Sequence, residues 1–160
     1  MPAQPEAKER RFLPLEQPGI DFILLADRAE VLNGKLYVMG GAWTELGIID
    51  FAMPANVSLA IGVLVPWNAT DEDVLLKVFF ETEDGTRIRP EISANLNVGR
   101  PPGAVRGQEF RSIIAVNVAI KFPAAGMYRA VATLGEMEQK HTTFRVLLAQ
   151  APPQLRRQNS

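Results

Sequence analysis

Apolar and polar residues alternate with a period of two along most of this chain, a rhythm that suits strands and leaves little room for helices. Val57, Leu59, Ile61, Val63 and Val65 alternate with Ser58, Ala60, Gly62 and Leu64. Ile88, Pro90, Ile92, Ala94, Leu96 and Val98 alternate with Arg87, Arg89, Glu91, Ser93, Asn95 and Asn97. Ile114, Val116, Val118 and Ile120 alternate with Ala115, Asn117, Ala119 and Lys121. Successive side chains of a strand point to opposite faces, so each run offers one face to a core and one to solvent. No window carries helical spacing with capping residues. Turn signals separate the runs: Asn33-Gly34, Pro66, Asp84-Gly85, Pro101-Pro102-Gly103, Pro123 to Gly126 and Gly135-Glu136. Strands are predicted near 20–32, 35–44, 56–65, 74–82, 86–98, 110–121, 127–134 and 137–148. The fold class is all-β, a single antiparallel β-sandwich of seven to eight strands of immunoglobulin- or fibronectin-like type; a closed β-barrel is the alternative.

Length and composition agree with one such domain. A chain of 160 residues buries about 70% of its extended surface and needs no staple to fold. Its lack of cysteine and its single histidine remove thiol nucleophiles and most transition-metal sites. A net charge of −1 argues against a nucleic-acid grip and a polybasic membrane patch. The opening MPAQPEAKERRFLPLE has no signal-like apolar run, and no stretch reaches the ~20 apolar residues of a membrane span. The organisation expected is a flexible tail at 1–17, a sandwich domain at 18–150 and a flexible tail at 151–160. A cytoplasmic location fits the missing cysteines. Asn68-Ala69-Thr70 matches a glycosylation sequon, read here as coincidence in a loop.

One hairpin can be set in register from side chains alone. A two-residue turn at Asp84-Gly85 would place Phe80 opposite Arg89 and Glu81 opposite Ile88, charges against core residues on both faces. A three-residue loop, Glu83-Asp84-Gly85 with Gly85 left-handed, shifts the register by one. Phe80 then faces Ile88, Val78 faces Pro90, Leu76 faces Ile92 and Val74 faces Ala94, while Glu81 meets Arg87 and Lys77 meets Glu91. Pro90 has no N–H, which places its strand at a sheet edge or turns the missing donor away from the ladder. Both strands return to one end, so loops 66–73 and 99–109 are expected as neighbours. With simple alternation of direction, the turns at 33–34 and 135–136 fall at that end too.

Those loops carry the candidate binding residues. Trp67, beside Asn68, either stacks a sugar or other planar group or caps the open end of the core. Asp71, Glu72 and Asp73 are three consecutive acids; calcium wants six to eight oxygens and a spaced loop, so solvated loop charge is preferred and no metal is expected. Arg100 and Arg106 flank Pro101-Pro102-Gly103 and either clamp a carboxylate or phosphate or pair with the acids at 71–73. His141 would need Ser58, Ser93 or Ser112 and an oriented acid to form a triad, and none of these serines sits in a G-x-S-x-G context. No catalytic residue is assigned. Gly40-Gly41 reads as a bulge or bend where a strand changes sheets, and Trp43 as core. Leu64, Leu75 and Phe79 fall on faces their strands otherwise give to polar residues, and suggest oligomer contacts.

Four segments together resemble a known family: LLADRAEVLNGKLYVMGGAW at 24–43, VPW at 65–67, VGRPPG at 98–103 and PAAGMYRAV at 123–131. The chain resembles an uncharacterised bacterial family of short, stand-alone proteins, a domain of unknown function, over residues 20 to 148. The resemblance implies one β-sandwich domain and a bacterial source. It marks Gly40, Gly41, Trp43, Trp67, Gly99, Arg100, Pro101, Pro102, Gly103 and Tyr128 as positions matching the family pattern. Most are turn or core residues; Arg100 alone has no evident structural duty. The expected role is a non-catalytic interaction module, without cofactor, that binds a protein partner or itself. The alternative is a small-molecule or carbohydrate binder using loops 66–73 and 99–109.

Overall fold

Every alternating run forms a strand. The computed structural model describes residues 17–150, in which nine strands follow in order: β1 (Gly19–Leu32), β2 (Lys35–Gly41), β3 (Glu45–Ile48), β4 (Ala55–Pro66), β5 (Asp73–Thr82), β6 (Arg87–Asn97), β7 (Glu109–Ile120), β8 (Gly126–Leu134) and β9 (Met137–Leu148). Apart from Gln17, the tails expected at 1–17 and 151–160 lie outside the described residues. Two open sheets result, β2-β1-β4-β7 and β3-β9-β8-β5-β6, and neither closes on itself, so the barrel alternative falls. Among the described residues no helix is long and apolar enough to cross a membrane.

The unexpected strand is β3. Its four residues, Glu-Leu-Gly-Ile, are too short to show a period, and they are held by parallel pairing with β9, Glu45 opposite Arg145 through Ile48 opposite Leu148. The chain leaves one sheet at Gly41 and enters the other at Glu45, the change of sheet that the glycine pair predicts. Gly40 has φ +57°, a left-handed backbone that favours glycine, and a Cβ there would push aside the exposed Asp27 carboxylate, 2.2 Å away at Oδ2. Ala42, at φ +63°, anchors the crossing by donating its N–H to the Leu25 carbonyl at 2.8 Å. The extra strand also corrects one expectation. β1 runs antiparallel to β4, so the 33–34 turn lies at the opposite end from loop 66–72, whereas Gly135 stays at that end, its N–H on the Leu75 carbonyl at 2.9 Å.

The core is the set of inward faces. Leu25, Val57, Leu59, Ile61 and Val63 of the first sheet meet Leu76, Val78, Phe80, Phe144 and Val146 of the second. Phe144 is the hub of the rings: Trp43, Phe80 and Phe122 stand edge-on to it at 5.7, 6.2 and 5.9 Å, and Tyr128 stacks at 6.0 Å. Trp43 is half-buried and packs on this core, its Nε1 buried without a hydrogen-bond partner among the described residues. Tyr128, buried near the start of β8, turns its hydroxyl back to donate to the Ala124 carbonyl at 2.5 Å.

β4 is buried on both faces, which plain alternation does not predict. The reason is β1. It pairs with β4 only as far as Ala26 opposite Ser58, then passes over the outward side chains of β4 and β7, its Asp27 carbonyl at Ser58 and its Ala29 carbonyl at Asn117. Its carbonyls there have no strand neighbour on that side among the described residues. Side chains take the ladder's place: the Ser58 hydroxyl lies 3.2 Å from the Asp27 carbonyl and also bonds the Asn117 amide oxygen, and Asn117 Nδ2 donates to the Ala29 carbonyl at 3.1 Å. Backbone groups denied a partner must find one in this way.

The β5–β6 hairpin keeps the three-residue loop. Gly85 has φ +84°, Thr82 and Thr86 close the ladder at 2.9 Å, and Phe80 faces Ile88 with Glu81 opposite Arg87. The Thr82 hydroxyl, followed by the Thr86 N–H, holds the Asp84 carboxyl below its ordinary range by hydrogen bonding its ionised form. Beyond Phe80 the expected register is corrected. A bulge lets Val78 face Ile92, Leu76 face Ala94 and Val74 face Leu96, so Lys77 meets Ser93 and not Glu91. The bulge falls around Pro90, which has no N–H to give the ladder. β6 is indeed an edge strand.

Candidate functional site: the loop end and the open edge

The two loops expected to meet do meet. Trp67–Ala69 forms one 3-10 turn after β4, with the Thr70 hydroxyl donating to the Trp67 carbonyl at 2.7 Å. Asp71, at φ +64°, gives its N–H to the Val98 carbonyl at 2.9 Å, and Asn97 Nδ2 donates to Asp73 Oδ1 at 2.8 Å. Arg100 is the tie between the loops. Its guanidinium carbon sits 3.7 Å from the centre of the Trp67 ring. Its Nη2 donates to Thr70 Oγ1 at 2.8 Å and to the Trp67 carbonyl at 3.1 Å, with Nε on Thr70 Oγ1 at 3.1 Å.

Neither expected role of Arg100 is what the geometry provides. It does not reach the acids at 71–73, and its face and three donor contacts are taken up by Trp67 and Thr70, leaving Arg106, exposed and outside any ion pair among the described residues, as the other half of a clamp that is not assembled. Asn68, Asp71, Glu72 and Asp73 are exposed, and no metal-holding cluster of acids and histidine forms among the described residues. Arg100→Ala is expected to cost about 1–2 kcal/mol, a stacked cation plus three hydrogen bonds from a solvent-exposed side chain. Arg100→Lys recovers little of it, because a lysine lacks the planar fork. Urea denaturation of the two variants measures this; a lysine variant as stable as the parent would contradict the fork's role.

The three apolar outliers do not form one patch. Leu64 is half-buried on β4 of the first sheet, while Leu75 and Phe79 lie on β5 of the second. Leu75 is exposed, but Phe79 is only 6% exposed. The Arg87 guanidinium lies 3.9 Å above its ring and is itself paired with Glu91 at 2.7 Å. Phe79 is therefore not available as an interface residue: the register that sets Arg87 beside it also covers it. A cleft of about 520 Å³ beside it is lined by Phe79, Arg87, Ile88, Arg89 and Glu91. His141 is on the exposed face of β9 opposite Val131, with Ser93 three strands away on β6 and Ser58 and Ser112 in the other sheet.

The four sheet edges are not equally guarded. β6 carries Arg87, Arg89 and Glu91, a proline and a bulge. β2 has seven residues and ends in two glycines, and β3 has four. β7 has twelve residues, pairs with β4 along all of them without a bulge, and has no strand on its other side among the described residues. From Ile113 to Ile120 it holds no charge and no proline. Its one polar side chain there, Asn117, is turned onto β1. Charges, prolines and bulges are how sheet edges resist pairing, and this stretch has none of them. Residues 21–147, which include all of both loops and reach into the first and last strands, match a family of unknown function, DUF6941. The chain belongs to that family. No curated protein matches it.

In this DUF6941 chain the loop end and the β7 edge were unequally visible in sequence. Pairing of the loops followed from one hairpin. The uncharged run Ile113 to Ile120 is plain to read, yet nothing local says whether such a run is a central strand or an edge. Strand order alone distinguishes them.

Proposed function

We propose that this protein is a non-catalytic sandwich of fibronectin-like type that associates with itself through the β7 edge. Two features support the fold type. With the edge strands β2 and β3 set aside, the order β6-β5-β8-β9 facing β1-β4-β7 is similar to that arrangement, and the Tyr128 hydroxyl bonded back to Ala124 is placed as a tyrosine corner would be. The observation that carries the function is the unguarded β7. An open strand presents a row of N–H and C=O groups, and another strand satisfies them. The small-ligand reading has less support, because Trp67 and Arg100 occupy one another.

Sedimentation equilibrium across a concentration series tests this directly. The expected species has twice the 17.6 kDa of the chain and dissociates on dilution. Ala119→Lys, which puts a charge on the exposed side of β7, is expected to return it to monomer. A 17.6 kDa species at every concentration would overturn the proposal.

A further inference from the structure

Resting on that reading, we infer that two copies pair β7 against β7 antiparallel about a two-fold axis at Ala115, joining the four-stranded sheets into one of eight. A two-fold axis normal to the sheet sets residues of the same face opposite each other, so inward Ile114 meets the partner's Val116, and outward Ile113 meets the partner's Asn117. The choice among such registers is made by charge. The only charged residues along the strand and its next position are Glu109, Arg111 and Lys121. Centred on Ala115, Glu109 faces the partner's Lys121, twice by symmetry, and Arg111 faces the partner's Ala119. Centred one residue later, on Val116, Arg111, which is paired with Asp21 of its own chain at 2.6 Å, would face the partner's Lys121, and Glu109 would face the partner's Pro123 and no cation. Centred one residue earlier, on Ile114, no charge is matched.

The outer face agrees with this centre. β1 passes close over β7 there, leaving a shallow, open cleft lined by Ala29 to Leu32 and by Ile113, Ile114, Ala115 and Asn117. Pairing at Ala115 brings the two copies' clefts together at the axis. Leu32, 54% exposed in the single chain, lines that cleft and has apolar surface to lose. Alanine at the axis lets the two outer faces approach without a clash between side chains.

The chain has no cysteine, so Ala115→Cys supplies a single thiol without background. Opposed residues of an antiparallel pair lie within disulfide reach, and oxidised glutathione is expected to convert this variant to a covalent dimer. Lys121→Glu, at an exposed position, sets like charges opposite at both ends and is expected to weaken association about tenfold. The double variant Glu109→Lys, Lys121→Glu restores it to within about threefold. A dimer by sedimentation that neither cross-links at 115 nor responds to the charge reversal would overturn this register while leaving self-association standing. A strict monomer overturns both.

Discussion

Phe144→Ala is expected to lower the unfolding free energy by about 3–5 kcal/mol. The side chain is 0% exposed and has four rings around it, Trp43, Phe80, Phe122 and Tyr128. Truncation removes the transfer free energy of a benzyl group and leaves a cavity that β-sheet neighbours, pinned by their ladders, fill only in part. Edge-to-face pairs add about 0.5–1.5 kcal/mol each beyond burial, which places the loss toward the upper part of the range. With a urea slope of roughly 1–3 kcal/mol per M, the midpoint falls by about 2 M. Leu75→Ala, at an exposed site, serves as the comparison and is expected within about 0.5 kcal/mol of the parent. A loss below about 1.5 kcal/mol at Phe144 would show that the surrounding rings collapse freely and that it is no hub.

The second large effect has a sign that sequence rules give incorrectly. Glycine inside a strand costs conformational entropy, so Gly62→Ala on propensity grounds is stabilising by about 0.5–1 kcal/mol. In the folded chain the added Cβ lies 2.2 Å from Phe22 Cε1 and 2.6 Å from Cδ1. Phe22 is the partner of Gly62 across the β1–β4 ladder, on the outer face, and its ring rests where the methyl group would go. Overpacking of that kind costs about 1–3 kcal/mol, so the net change is a loss of about 1–2 kcal/mol. In a Phe22→Ala background the same substitution is expected to be neutral or stabilising, and the difference is the coupling energy of the pair. Equal effects in the two backgrounds would refute the steric account.

The candidate site shows where reading residues in order stops. Neighbourhood of loops 66–73 and 99–109 followed from the hairpin between them. The contact of Arg100 with Trp67 did not, because an arginine so placed finds either an anion, an acid or a ring, and local chemistry ranks these too closely. Phe79 looked exposed because its strand position is outward; Arg87, brought beside it by the ladder, covers it. The bulge at Pro90 was half-visible: the missing donor was evident, but not that two residues would slip past to accommodate it.

What the sequence determined by itself was conformation within a few residues: the strands, from a period of two that only strands satisfy; the left-handed Gly85 turn, from charges that must not face a core; the break at Gly40-Gly41. Each depends on interactions between near neighbours, so the chain carries it wherever it folds. Tertiary structure alone decided that β3 exists, since its four residues hold only against β9. It also decided that β1 crosses outside β4 and that β7 is left at an edge. These are pairings between segments far apart in the chain, chosen by which arrangement satisfies every strand's backbone and buries every apolar face at once. An uncharged strand such as β7 is equally content between two neighbours or beside one, and only the assembled sheet shows which it received.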